Sequence, residues 1–146
     1  MVAKRLIFVV AIAFASGMIG SYVTADAVEH QLAIAGATKA ANAWLKLVDA
    51  GDYGKSWDAA SGMFRNAIPR ADWSDKVAAV RGPLGSVISR KRTQAHYTTS
   101  IPGAPDGKYV VIQYATSFGH KASAVETVTS MVDADGNWHV AGYYIK

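Results

Sequence analysis

The sequence predicts an α+β domain in which helices come first and an antiparallel sheet follows. Residues 28–82 are rich in Ala, Lys and Asp, and their apolar residues recur at the three- and four-residue steps of helices. Residues 86–146 are rich in Val, Thr, Tyr and Ile, and they carry the alternation of strands. No repeat and no low-complexity linker separates the halves, so we expect one domain with a single core.

Three helices are predicted in the first half. The first runs from about Val28 to Ala50 and carries one apolar stripe. Asp52 caps a second, shorter helix whose apolar residues share a face as far as Phe64. The third helix opens after the break at Pro69 and ends at Gly82-Pro83. A long first helix lying across the sheet would bury both apolar surfaces.

Four strands are predicted in the second half, joined by connections short enough for an antiparallel meander. Asp135-Gly136 gives the strongest hairpin signal, because this dipeptide suits a type I′ turn with Gly136 at positive φ. The predicted strands are Ser86 to Ile101, Tyr109 to Phe118, Ala122 to Val132 and Trp138 to Ile145.

The N-terminus has the layout of a secretory signal peptide. Lys4-Arg5 precedes an apolar run from Leu6 to Ala15, and Ala25-Asp26-Ala27 has the small-x-small form of a cleavage site. We therefore expect a signal peptide over residues 1–27 and a periplasmic or secreted domain over residues 28–146. The alternative is an uncleaved membrane anchor, because no charge lies between Lys4-Arg5 and Asp26.

Composition narrows the choice of partners. Loss of Lys4, Arg5 and Asp26 with the signal peptide would lower the formal net charge from +4 to +3, which is too mild to indicate a nucleic-acid partner. The chain has no cysteine, so it has neither disulfides nor a lipid-bearing cysteine. Contact with a membrane is expected only through the N-terminal segment, if that segment is retained.

No strong catalytic or cofactor motif is present, and we expect no catalytic residue, no cofactor and no metal. Asp133-x-Asp135-Gly136 resembles the start of a calcium loop, but Tyr144 stands where that loop needs a glutamate. His96 and His139 fall in predicted strands and could meet, yet strand histidines are more often structural than ligands.

Arg90 and Glu126 form the most informative pair. Glu126 is the only glutamate in the strand half and lies on the same strand face as Val128, where an unpaired carboxylate would be costly. Arg90 lies on a strand from which it could reach Glu126. We expect the two to be in contact and shielded from water. The pair is either a buried ion pair that fixes the sheet or the polar floor of a pocket, with Glu126 as a base.

Other charged and aromatic residues give weaker indications. The run Arg90-Lys91-Arg92 either binds an anion or keeps a polar strand from pairing with another edge. Tyr114 and Tyr143 are candidates to line a pocket beside the ion pair. Tyr143 and Tyr144 point to opposite faces, so one of them lies outside the main core and lines a cavity or a homodimer interface.

The chain resembles the DUF4019 family, small exported bacterial proteins of unknown function. The resemblance covers about residues 39–146 and implies a fold similar to the NTF2-like cone, in which three helices lie in the hollow of a curved four-stranded antiparallel sheet. It brings no assigned catalytic residues. The motifs that carry it are Arg81-Gly82-Pro83-Leu84-Gly85 with Ser89-Arg90, Pro105-Asp106-Gly107-x-Tyr109-Val110-Val111, Glu126-Thr127-Val128-Thr129 and Asp135-Gly136-x-Trp138-x-Val140-Ala141-Gly142-Tyr143.

These observations favour an exported binding or interaction module whose partner is a small molecule or a protein. The alternative is a small cone-fold enzyme of the isomerase or lyase type that uses a pocket carboxylate, for which Glu126 is the candidate. Fold alone does not choose between them.

Overall fold

A computed structural model describes residues 23–146 and shows an α+β domain with four helices followed by four strands. The charged start and the apolar run of the predicted signal peptide lie outside the described residues. The helices are α1 (Ala25–Asp49), α2 (Tyr53–Ala59), α3 (Gly62–Ala67) and α4 (Arg70–Leu84), and the strands are β1 (Val87–Thr98), β2 (Tyr109–Phe118), β3 (Lys121–Val132) and β4 (Trp138–Ile145).

The first helix extends further towards the N-terminus than the sequence predicts. Thr24 caps it by accepting a hydrogen bond from the backbone N–H of Ala27, so the proposed cleavage point after Ala27 falls within the first turn of α1. Buried residues recur along α1 at steps of three or four, from Ala33 through Trp44 to Val48. In the part of the chain from residue 23 onward, no helix is long and apolar enough to cross a bilayer.

The prediction of three helices is wrong, because the second predicted helix is two helices. Ala60 adopts an extended conformation, and Ser61 then caps α3 through its side chain, which accepts from the N–H of Phe64. The backbone N–H of Ser61 donates to the carbonyl of Val140 on β4 at 2.8 Å. The helix therefore breaks where a tertiary hydrogen bond to the sheet replaces a helical one. The last helix runs two residues beyond Gly82, and Gly85 at φ 75° ends it.

The sheet is an antiparallel meander with strand order β1-β2-β3-β4. One face is buried against the helices, and on β3 this face carries the predicted set of residues around Glu126 and Val128. Trp44, Phe64 and Trp73 pack edge-on or tilted against one another between helices and sheet. This buried layer is the core that the apolar stripe of α1 covers.

The turn between β3 and β4 is a hairpin turn, but it is not of type I′. Gly136 has φ 79°, as expected, whereas no residue other than glycine has positive φ in residues 23–146. A type I′ turn would need positive φ at Asp135 as well. Instead, the N–H of Gly136 donates to the carbonyl of Asp133, and the N–H of Asp133 donates to the carbonyl of Asn137. The loop is thus a three-residue connection with glycine in the left-handed position.

Candidate functional site

A buried carboxylate lies at the centre of the inner sheet face. Glu126 has no exposed surface. Its strand β3 is separated from β1 by β2, and in the register Arg90 lies opposite Thr116, which lies opposite Ala124. The side chain of Arg90 therefore reaches over β2 to meet Glu126. Strand order and register thus place these two residues, far apart in sequence, within side-chain reach of each other.

Four hydrogen bonds surround the Glu126 carboxylate. Nε of Arg90 donates to Oε1 at 2.7 Å, and Nη2 of Arg90 donates to Oε2 at 3.2 Å. The Thr116 hydroxyl donates to Oε1 at 2.6 Å, and the Tyr143 hydroxyl donates to Oε2. Because both oxygens accept two hydrogen bonds, the carboxylate has no free acceptor position facing a cavity.

Arg90 holds a second carboxylate on its other side. Asp49 is the last residue of α1, and its two oxygens accept from Nη1 and Nη2 of Arg90 at 2.7 and 2.9 Å. A carboxylate at the C-terminus of a helix is disfavoured by the helix dipole. The arginine offsets this cost and ties the end of α1 to the sheet.

Arg81 completes the cluster. It lies on α4 with only 5% of its surface exposed, and its Nη2 donates to Oδ1 of Asp49 at 2.9 Å. Its guanidinium carbon lies 4.9 Å from the centre of the Phe118 ring, and Nη1 is 3.5 Å from the Tyr143 hydroxyl. Arg81, Asp49, Arg90 and Glu126 thus form a charge-balanced chain of two cations and two anions, here called the buried ion network.

The pKa values of Asp49 and Arg90 move in the directions that keep these two ions charged. Burial would raise the pKa of Asp49, but hydrogen bonds from Arg90 and Arg81 outweigh burial and lower it. Burial would likewise lower the pKa of Arg90, but its bonds to Asp49 and Glu126 raise it. Burial, together with the nearby Glu126 charge, raises the pKa of Tyr143, so its hydroxyl remains a donor.

The structure brings three of the four candidate residues together. Arg90, Glu126 and Tyr143 meet in the network, whereas the hydroxyl of Tyr114 points to α1 and donates to Oδ1 of Asn42 at 2.9 Å. Burial raises the pKa of Tyr114. Tyr114 is Glu126's direct neighbour across the β2–β3 pair, yet its polar end lies elsewhere.

Sequence reasoning missed Asp49, Thr116 and Arg81 as members of the network. A signal for Arg81 was present, because it follows Trp73 and Val77 at steps of four on the buried face of α4. A charged residue on an apolar helix stripe needs a partner.

An apolar groove adjoins the network on the side of Tyr143. It lies between α4 and β4 and has a volume of about 200 Å³. Its lining is mainly aromatic and aliphatic, and Lys76 is its one charged residue. Tyr143 belongs both to the groove lining and to the buried ion network. The lining residues are Trp73, Lys76, Val77, Val80, Tyr143, Tyr144 and Ile145.

The two strand histidines do not meet. His96 lies on β1 and His139 on β4, the opposite edges of the sheet. The ring nitrogens of His139 lie 3.1 Å from the carbonyl oxygen of Ala59 and 2.7 Å from Oδ2 of Asp135. No group of three His, Asp or Glu residues in the described part of the chain could hold a metal ion. In the basic run, Arg92 donates to the hydroxyl of Thr38 at 3.0 Å.

The fold and the site define a small α+β domain whose helices and sheet are joined by a buried ion network. The sequence model of the DUF4019 family, described as a protein of unknown function, matches residues 40–143. The chain belongs to this family. A comparison with curated proteins found none that matches the chain.

Proposed function

We propose that this chain is an exported, non-catalytic binding module of the NTF2-like cone type, and that the buried ion network holds its shape. The observation that carries this proposal is that every acceptor position of the Glu126 carboxylate is already occupied by a hydrogen bond. A general base must present a free acceptor to its substrate, within hydrogen-bond reach. Glu126 is fully buried and accepts from Arg90, Thr116 and Tyr143.

The cone assignment is supported by irregularities along the strands. Register shifts occur on β1 between Val87 and Ser89 and between Arg92 and Gln94, and on β2 between Thr116 and Phe118. A further shift lies at Thr129 and Ser130, where β3 pairs with β4. Bulges at such shifts bend strands and increase their twist, so four shifts in one sheet favour a curved sheet around the helices.

The groove between α4 and β4 is the surface that we assign to binding. Ligand sites are mostly apolar concave surfaces with a few polar groups that orient the ligand. The groove supplies Trp73, Tyr143 and Tyr144 as apolar walls and Lys76 as the polar group. An apolar or aromatic ligand with a negative charge fits this combination.

Anilinonaphthalene sulfonate, an aromatic anion, is a suitable probe of the groove. We expect saturable fluorescence enhancement with the native protein, and its loss in Val80→Glu, which places a negative charge at the groove. Ile88→Glu is the matched control, because Ile88 is an exposed aliphatic residue on β1 and not in the groove lining.

The double variant Arg90→Met with Glu126→Leu separates the binding module from the enzyme alternative. If the network only supports the fold, the folded double variant keeps probe binding. A double variant that has native circular dichroism but no longer binds would mean that Glu126 serves the ligand. An isomerase or lyase that uses this carboxylate would then replace the present proposal.

Export is tested by the mass of the protein recovered after osmotic shock. Cleavage after Ala27 would give a chain that begins at Val28. Recovery of the intact chain from the membrane fraction would support the retained anchor instead.

A further inference from the structure

Strand β4 is an edge of the sheet whose backbone is only partly covered. It pairs with β3 on one side, and in the described part of the chain no strand pairs with its other side. At its start the carbonyl of Val140 accepts from the N–H of Ser61, so the corner between α2 and α3 covers that part. Within residues 23–146, no such hydrogen bond from a helix reaches the later part of β4.

The later part of β4 directs two residues' backbone groups away from the sheet. Val125 and Lys146 exchange both hydrogen bonds, at 3.0 and 2.9 Å, and therefore form a hydrogen-bonded pair. In an antiparallel ladder such pairs alternate with pairs that do not exchange bonds. The Ile145–Glu126 and Tyr143–Val128 pairs are thus of the second kind. The N–H and carbonyl groups of Tyr143 and Ile145 point to the free edge.

This free edge lies beside the apolar groove already described. Tyr143 and Ile145 line the groove from β4, and Val77 and Val80 line it from α4. Val80 is 51% exposed, so an incoming side chain can reach the groove. A peptide that adds as a strand to a sheet edge gains affinity from unpaired backbone N–H and carbonyl groups and specificity from a side-chain pocket. The edge of β4 has both features side by side.

We propose that an extended segment of a partner protein pairs with the free edge of β4 at Tyr143 and Ile145. Its aliphatic or aromatic side chain enters the groove, and a carboxylate beside it faces Lys76. The inference rests on the proposed binding function and names the class of partner. Lys76 makes no ion pair within residues 23–146, so it is free to meet an acidic group.

Charge favours an acidic partner over a second copy of this chain. The full chain carries a formal net charge of +4, so two copies repel one another. Edge-to-edge pairing of two β4 strands would also bring no acidic residue to Lys76, because Trp138–Ile145 contains none. An acidic extended segment removes both disadvantages.

The test is selection from a displayed library of heptapeptides that alternate polar positions with Leu, Ile, Phe or Tyr, against protein expressed from its full sequence. We expect enriched peptides to combine an apolar residue with Asp or Glu. Bound peptide should protect the amides of Tyr143 and Ile145 from hydrogen exchange, because these amides become strand donors.

Variants then locate the binding. We expect Val80→Glu to weaken the selected peptides by about tenfold or more and Lys76→Glu to reverse the preference for acidic residues. Ile88→Glu should change affinity by less than about twofold, since it lies on the other edge strand.

Three results would overturn the inference. The first is no enrichment, and the second is binding that Val80→Glu leaves intact. The third is a native dimer that Val80→Glu dissociates and Ile88→Glu does not, which would make a second copy the occupant. If anilinonaphthalene sulfonate still binds the groove while peptides do not, the binding module stands and only the added strand falls.

Discussion

The β3–β4 hairpin carries a charged cluster at each end, and the two clusters differ in burial and in the chemistry of their cations. At the open end, the fully buried Glu126 pairs with Arg90. At the turn, His139 contacts Asp135, whose side chain is 51% exposed. Arginine stays ionised at any pH a protein meets, whereas histidine titrates near neutrality.

An ion pair therefore contributes differently to the free energy of unfolding at the two ends of the hairpin. Breaking a buried ion pair leaves a charge without water or partner, which costs several kcal/mol. Breaking an exposed pair leaves a solvated charge and costs little. We therefore expect the open end of the hairpin to control folding and the turn to tune stability with pH.

The largest effect is expected from removing one member of the buried pair. Arg90→Met or Glu126→Leu alone should lower the free energy of unfolding by about 3 kcal/mol or more, because the first leaves the buried Glu126 without its cation and the second leaves two arginines to share Asp49. The double variant should recover much of this loss, since Asp49 and Arg81 still balance each other. Urea unfolding of the four proteins gives the coupling energy.

The double variant also removes the carboxylate that accepts from the Tyr143 hydroxyl, and this lost hydrogen bond limits how much stability is recovered. Adding Tyr143→Phe should improve stability in the double variant and reduce it in the native protein. A coupling energy below about 0.5 kcal/mol between Arg90 and Glu126 would contradict the buried ion network.

A smaller effect is expected from Gly136→Val at the turn. Gly136 has φ 79°, which a β-branched residue adopts only with strain, so we expect a loss of about 1–3 kcal/mol by urea unfolding. Gly136→Asn is the matched control, because asparagine tolerates this conformation, and it should lose less. Equal losses in both variants would show that side-chain size, not backbone strain, decides the outcome.

The pH dependence of stability should arise at the turn. The two ring nitrogens of His139 face two acceptors, the carbonyl oxygen of Ala59 and Oδ2 of Asp135. Only the protonated ring carries a hydrogen on both nitrogens, so only that form can donate to both acceptors. Burial lowers the pKa of His139, but these hydrogen bonds and the charges of Asp135 and Asp133 outweigh burial and raise it. The stabilisation is therefore complete below the ordinary histidine pKa and is lost as pH rises through the raised one.

Melting temperatures of native protein and His139→Gln measured from pH 5 to 9 check this expectation. The native protein should lose its advantage over the variant as pH rises, by about 1–2 °C in total. His96→Gln, which removes a histidine that makes no ion pair in the described residues, should leave the native pH profile unchanged. A parallel profile for His139→Gln would show that the turn does not sense pH. Hydrogen bonds from the Asn137 backbone and from His139 lower the pKa of Asp135 to about 2, so its own contribution is present throughout this pH range and is lost only in strong acid.

The smallest effect is expected at the exposed pair Glu29–Lys108, where both side chains are 55% exposed. Lys108→Ala should change the melting temperature by about 1 °C or less, and added salt should remove even that difference. A larger, salt-dependent loss would mean that exposed pairs matter in this fold more than burial predicts.

Much of the fold follows from the sequence. The bounds predicted for β2 and β4 are those of the structure, because Pro and Gly turns flank apolar strand residues and leave little choice of register. The contact between Arg90 and Glu126 was also predictable, because a glutamate on an apolar strand face needs a cation. Local pattern and the cost of burying a charge were sufficient for both.

Tertiary structure alone decided the rest. The break at Ala60–Ser61 depends on a hydrogen bond to Val140, far away in sequence. Asp49 and Arg81 join the ion network because side chains from the end of α1, the buried face of α4 and β1 reach one another. Such contacts depend on how the elements pack, and helical or strand periodicity carries no information about which two faces will meet.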